Sequence, residues 1–135
     1  NDQYGHCAGD ELLKQIANQL KTCVRATDSI TRYGGDEFVI LMNALSADKA
    51  DSVLQAMHVA EKIQAVLSQT FSLSVKHDGL PTEHFEHASS ASIGVTLFLG
   101  NQFDQAAILK MADTAMYEAK RQGTGKTSLY MSRHE

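Results

Sequence analysis

An α+β fold, with helices layered over a mostly antiparallel central sheet, is predicted by three observations. Three stretches carry apolar residues at helical spacing, several short stretches are apolar or alternate as strands do, and a Gly-Gly pair separates two of these. The order is helix, strand, strand, helix, strand, strand, helix, then a short terminal strand. A helix stripe and a half-apolar sheet must each bury one face, and packing one on the other does this.

From Asp10 the positions Leu12, Leu13, Ile16, Ala17, Leu20, Cys23 and Val24 recur at helical spacing, with Asp10 or Gly9 as N-cap and an end near residues 25–27. Asp28-Ser29-Ile30-Thr31 and Val39-Ile40-Leu41-Met42 flank Gly34-Gly35. A two-residue turn of the type I′ class needs positive φ at both centres, so the glycines predict a hairpin centred on themselves. Ser46 is the expected cap of a second helix burying Ala50, Val53, Leu54, Met57, Ala60, Ile63 and Leu67. Phe71, Leu73 and Val75 alternate with polar residues as a half-buried strand, and residues 77–81 read as a turn. Ala91, Ile93, Val95 and Leu97 predict another strand. Asp104 opens a third helix that Gly123 closes, and residues 127–130 add the last short strand.

The 135 residues are expected to form one domain, 1–135, with 43% apolar and 21% charged residues, as in ordinary globular proteins. A net charge of −4 argues against a DNA- or RNA-binding surface, which shows a basic stripe. It leaves room for a nucleotide site neutralised by a metal and a few lysines. Cys7 and Cys23 are too few for a disulfide framework or a zinc motif, and a reducing cytoplasm is the expected location. No apolar run reaches membrane-span length. The chain opens at Asn1 without an initiator Met, and its first helix lacks a preceding strand, so a gap is expected at the N-terminal edge.

Asp36 and Glu37 follow the glycines directly. On a regular strand they face opposite sides, whereas a turn or bulge lets both approach one cation. All-oxygen ligands beside a phosphate suit Mg²⁺; the plainer alternative is two solvated acids. Residues 1–10 read as a polar, glycine-punctuated loop running into a helix N-terminus, which suits an anion or a base edge, or only an ordinary cap. Arg25 and Asp28 stand three apart at a helix end, as surface ion pairs often do. Lys120, Arg121 and Lys126 make a basic helix end. His77, His84 and His87 lie near one loop, and His84 and His87 at helical spacing share a face.

Gly34-Gly35-Asp36-Glu37-Phe38, Asn1-Asp2-x-x-Gly5-His6-x-x-Gly9-Asp10, Ser92-Ile93-Gly94-Val95 and Ala112-Asp113-x-x-Met116-Tyr117-x-Ala119-Lys120 occur in that family's order in a chain that resembles the GGDEF domain of diguanylate cyclases. The resemblance covers nearly the whole chain. It implies a nucleotide-cyclase-like palm that joins two GTP into cyclic di-GMP and pyrophosphate across a homodimer, with Mg²⁺ or Mn²⁺. It implies guanine recognition by Asn1 and Asp10, space for the nucleotide at Gly34 and Gly35, and phosphate contact by Lys120. Metal binding and activation of the ribose 3′-hydroxyl fall jointly to Asp36 and Glu37. Arg25 and Asp28 match the RxxD site at which cyclic di-GMP inhibits, with Lys62 as a further basic contact. Two departures stand out. The family's first strand, carrying an Asp ligand and a Phe-Lys pair, is expected upstream of Asn1, and the family's Gly-Arg-Asn is here Gly123-Thr124-Gly125. The stretch 76–90 resembles versions of the domain fused to a phosphodiesterase. A fused sensor or phosphodiesterase domain is an expected partner, and the alternatives to a cyclase are a non-catalytic GTP- or cyclic di-GMP-sensing module regulating a fused phosphodiesterase or other domain, and a purely structural dimerisation domain.

Overall fold

Helix α1 (Asp2–Lys21) starts eight residues earlier than the sequence predicts and stops short of residues 25–27. In this computed structural model, residues 2–43, 45–76, 78–100 and 103–130 are described, with side chains described from residue 8 onward. Extending an existing helix adds one hydrogen bond per residue without a new nucleus. That gain outweighs Gly5 and Gly9, at about 1 kcal/mol each, so the stretch expected as a loop is helical from Asp2. At the other end the helix tightens, with Thr22 N donating to Gln19 O at 3.1 Å and Cys23 N to Leu20 O at 3.0 Å.

The described residues group into two compact units. The first holds α1, β1 (Ser29–Gly34), β2 (Glu37–Leu41), β3 (Phe71–Val75) and β4 (Glu83–His87). Strands β1 and β2 pair antiparallel, as do β3 and β4. On β3 the alternation is complete: Phe71, Leu73 and Val75 are buried while Ser72 and Ser74 are exposed. This strand packs on α1, and Gln15 Nε2 donates to Ser72 O at 2.9 Å. Leu20 and Cys23 are buried with it in the core. Strand β4 was not predicted: Glu, His and Phe all lie exposed along it, so it has no apolar alternation to betray it.

The second unit holds β5 (Ile93–Val95), α3 (Gln105–Gln122), β6 (Thr127–Leu129) and most of α2 (Lys49–Leu67). Strands β5 and β6 pair in parallel, with α3 as the crossover that a parallel pair requires. The expected antiparallel character thus holds in two ladders of three. The strand expected from Ala91 shrinks to three residues. Asp104 caps α3 as predicted, accepting from Ala107 N at 2.7 Å, and Gly123 N donates to Lys120 O at 3.2 Å at the far end. The cap of α2 is Asp48, not Ser46. Asp48 Oδ1 accepts from Asp51 N at 2.9 Å, and Ser46 Oγ, two residues before the cap, accepts from Asp48 N. The buried face of α2 is also rotated: Ser52, Ala56, Ala60, Ile63 and Leu67 are buried, and Leu54 is 68% exposed.

Gly94 is the tightest point of this unit. A Cβ there would fall inside the contact radius of Ala112 O and Met116 N, and 2.9 Å from Met116 Cα. Ala115 and Ala119 are the buried residues of α3, small side chains that let the helix lie close to β5. Gln64 Nε2 on α2 donates to Ala91 O at 3.0 Å and lies 3.1 Å from Thr127 Oγ1, bonding to the flanks of both strands.

Candidate functional site

The β1–β2 hairpin carries the signature at one end and the RxxD residues at the other. Its register runs from Ser29 opposite Leu41 to Gly34 opposite Glu37, with a shift between Arg32 and Gly34. Arg32 faces Phe38, so Tyr33 is the extra residue of a bulge on β1. Since Gly34 already pairs with Glu37, the two-residue loop is Gly35-Asp36, one residue beyond the expected Gly34-Gly35 centre. Gly35 takes φ 52°, in the left-handed region. Arg32 Nε donates to Gly35 O at 2.9 Å and fixes the tip. This residue's role escaped the sequence reading, because its partner is a backbone atom three residues on.

Asp36 sits in the loop and Glu37 opens β2; both are exposed. A Cβ at Gly34 or Gly35 would meet nothing within 4 Å, so the space beside the two acids is open. Among the described residues no group of three or more His, Cys, Asp or Glu side chains is placed to hold a metal ion. Two adjacent carboxylates nevertheless fit Mg²⁺, which takes one or two carboxylates and completes its shell with water and substrate phosphates.

The RxxD turn is built differently. Asp28 Oδ2 accepts from Arg25 N at 2.9 Å and Oδ1 from Asn43 N at 3.0 Å. Asp28 N donates back to Arg25 O at 3.0 Å, and Asn43 Nδ2 donates to Thr27 O at 2.8 Å. The Asn43 N–H holds the Asp28 carboxyl below its ordinary value; partial burial opposes this, and the Arg25 N–H and charge add to it. The surface-pair reading of Arg25 and Asp28 therefore gives way to a carboxylate brace on two backbone amides, with Arg25 exposed beside it. Asn43 was missed. The only sequence signal is a polar residue directly after the apolar run of β2. From Ser29 to Gly34 the strand spans ~17 Å at ~3.3 Å per residue, which separates the brace from the tip.

The remaining candidates scatter. Asp10 is exposed within α1 rather than at its N-terminus, and Asn1 lies outside the described residues. Lys120, in the last turn of α3 in the second unit, is exposed, with its ammonium 5.9 Å from the Tyr117 ring centroid. Arg121 pairs with Glu118 at 3.3 Å on the surface. Lys62 is exposed on α2. His84 and His87 are on a strand, three apart, so they face opposite sides and not one helical face. His84 Nδ1 lies 3.0 Å from Ser74 Oγ. His77 lies outside the described residues.

Residues 1–126 match the family described as "Diguanylate cyclase, GGDEF domain". The chain belongs to the GGDEF domain family. It is 42% identical over 123 residues to the bifunctional diguanylate cyclase/cyclic di-GMP phosphodiesterase MucR of Pseudomonas aeruginosa, covering 91% of this chain and 16% of that protein. It is 35% identical over 129 residues to diguanylate cyclase A of Treponema denticola, covering 96% and 31%. It superposes with TM-score 0.74 and 34% identity on an EAL/GGDEF domain protein from M. capsulatus, covering 98% of this chain and 76% of that one. The chain thus spans less than a third of the length of these two curated relatives. No helix among the described residues is long and apolar enough to cross a membrane.

Proposed function

We propose that this chain is the catalytic domain of a diguanylate cyclase, acting on Mg-GTP as a homodimer. The observation that carries the reading is the complete Gly34–Phe38 signature folded as an open hairpin tip with both carboxylates exposed. Relatives named as diguanylate cyclases across 91–96% of the chain support it.

In each half-reaction a ribose 3′-oxygen of one GTP attacks the α-phosphorus of the other. The new O–P bond forms as the bond to the β-phosphate oxygen breaks, and pyrophosphate leaves. Two such steps close the ring. Gly34 and Gly35 leave space for the nucleotide, and the Asp36-Glu37 pair takes the hydroxyl proton and would hold Mg²⁺ or Mn²⁺. The bound metal supplies charge neutralisation at the transferring phosphate. Lys120 is assigned to phosphate contact, Asn1 and Asp10 to guanine. Product inhibition is assigned to the turn of Arg25 and Asp28.

The test is the natural-length protein incubated with Mg-GTP. Cyclic di-GMP and pyrophosphate in a 1:2 ratio are expected; GTP binding without any product overturns the reading. A second reading, a GTP- or cyclic di-GMP-sensing module, is favoured by one observation: the Arg25–Asp28 turn is braced by Asp28 on two backbone amides, apart from the acids of the tip. Tight binding of either nucleotide with no turnover supports it.

A further inference from the structure

The β3–β4 ladder leaves one strand edge bare. Among the described residues β4 pairs with β3 alone, and all five of its residues are exposed. Such an edge offers unpaired N–H and C=O groups to another strand. Its sequence, Glu83-His84-Phe85-Glu86-His87, has a specific symmetry. Turned antiparallel on itself about Phe85, it sets Glu83 opposite His87, His84 opposite Glu86, and Phe85 opposite Phe85. Residues directly opposite across an antiparallel pair share a face and touch.

We propose that β4 is a self-association edge, at which a second copy of this chain adds its own β4 antiparallel and in register. The product is a four-stranded sheet with a twofold axis at Phe85, the self-complementary geometry that a symmetric dimer requires. Only this arrangement sets every glutamate of both strands opposite a histidine. A parallel pairing in register sets glutamate on glutamate and histidine on histidine, and staggered by one residue it sets His84 on Phe85 and Phe85 on Glu86. A one-residue antiparallel slip sets His84 on His87 and Phe85 on Glu86, and a two-residue slip sets Glu86 on itself. An imidazole N–H donates to a carboxylate whether the ring is neutral or protonated. His84 Nδ1 lies 3.0 Å from Ser74 Oγ; with the serine hydroxyl donating to Nδ1, the ring proton is on Nε2, which donates to the second copy's glutamate. Phe85, 37% exposed beside Leu73 on β3, covers its ring against its symmetry mate. Pro81, without an N–H, bounds the ladder on one side.

The experiment is sedimentation velocity of the protein over a concentration series without nucleotide, for wild type and two charge variants. His84→Glu with His87→Glu makes the edge wholly acidic; Glu83→Lys with Glu86→Lys makes it basic. Wild type is expected to dimerise, each variant alone to weaken the dimer roughly tenfold or more, and their equimolar mixture to restore it as a heterodimer. Hydrogen exchange on the wild type needs no variant: amides of residues 83–87 gain protection as concentration rises. A wild type that stays monomeric to its solubility limit overturns the proposal. So does a dimer whose formation leaves those amides unprotected, or one that both variants retain undiminished.

Discussion

Gly35 and Gly94 both fall within sequence blocks shared with the family, yet they serve opposite ends. At Gly35 the backbone takes φ 52° and a Cβ would meet nothing within 4 Å. At Gly94 a Cβ would collide with the backbone of α3 at Ala112 and Met116. The first glycine keeps a turn open to solvent, and the second lets a helix lie against a strand. A motif glycine is therefore not in itself evidence of a site; what surrounds its missing Cβ separates binding from packing.

The largest effect is expected at Gly94. Gly94→Ala forces α3 away from β5, and overpacking of this kind costs about 3 kcal/mol, lowering the thermal midpoint by ~10 °C. Thermal circular dichroism checks it; a shift under a few degrees would show that the strand and helix part easily. Gly35→Ala is expected to cost less, about 1 kcal/mol, because the left-handed penalty is partly offset by a less flexible unfolded chain. Its effect on Mg-GTP affinity is expected to exceed its effect on stability, which a calorimetric titration beside the melt will read.

Asp28→Ala acts at the opposite end of the same hairpin. It removes two carboxylate hydrogen bonds and is expected to cost about 1 kcal/mol. Because the folded state holds this carboxyl below its ordinary value, its contribution is full above the ordinary aspartate range. It is lost as pH falls through the lower folded value. Asp28→Asn should flatten that part of the acid dependence in urea unfolding followed below about pH 4. The smallest effect is expected at Leu54, 68% exposed: Leu54→Gln stays within about 0.5 kcal/mol by the same assay.

Leu54 also shows where sequence patterning loses its grip. Apolar spacing put it on the buried face of α2, but the face is set by tertiary packing, and Ser52 and Ala56 are buried in its place. Helix α3 was legible at both ends, since Asp104 and Gly123 act through local backbone chemistry. Strand β3 was legible because its alternation matches its burial. Strand β4 was not, as its residues are held by pairing with β3 and not by an apolar face of their own. The hairpin was read correctly, but its tip was misplaced by one residue because the bulge at Tyr33 leaves no compositional trace. Of the site, the Gly-Gly-Asp-Glu order is visible in sequence, while Arg32 on Gly35 O and Asn43 on Asp28 are three-dimensional facts.

Asp36 and Glu37, exposed at the open tip, are proposed to perform chemistry and not to hold the fold. The most direct measurement is cyclic di-GMP formation from Mg-GTP by the natural-length protein carrying Asp36→Asn with Glu37→Gln, with its thermal midpoint recorded on the same sample. The expected rate is reduced by about 100-fold or more, with the midpoint of wild type retained. Wild-type turnover in the double variant would contradict it.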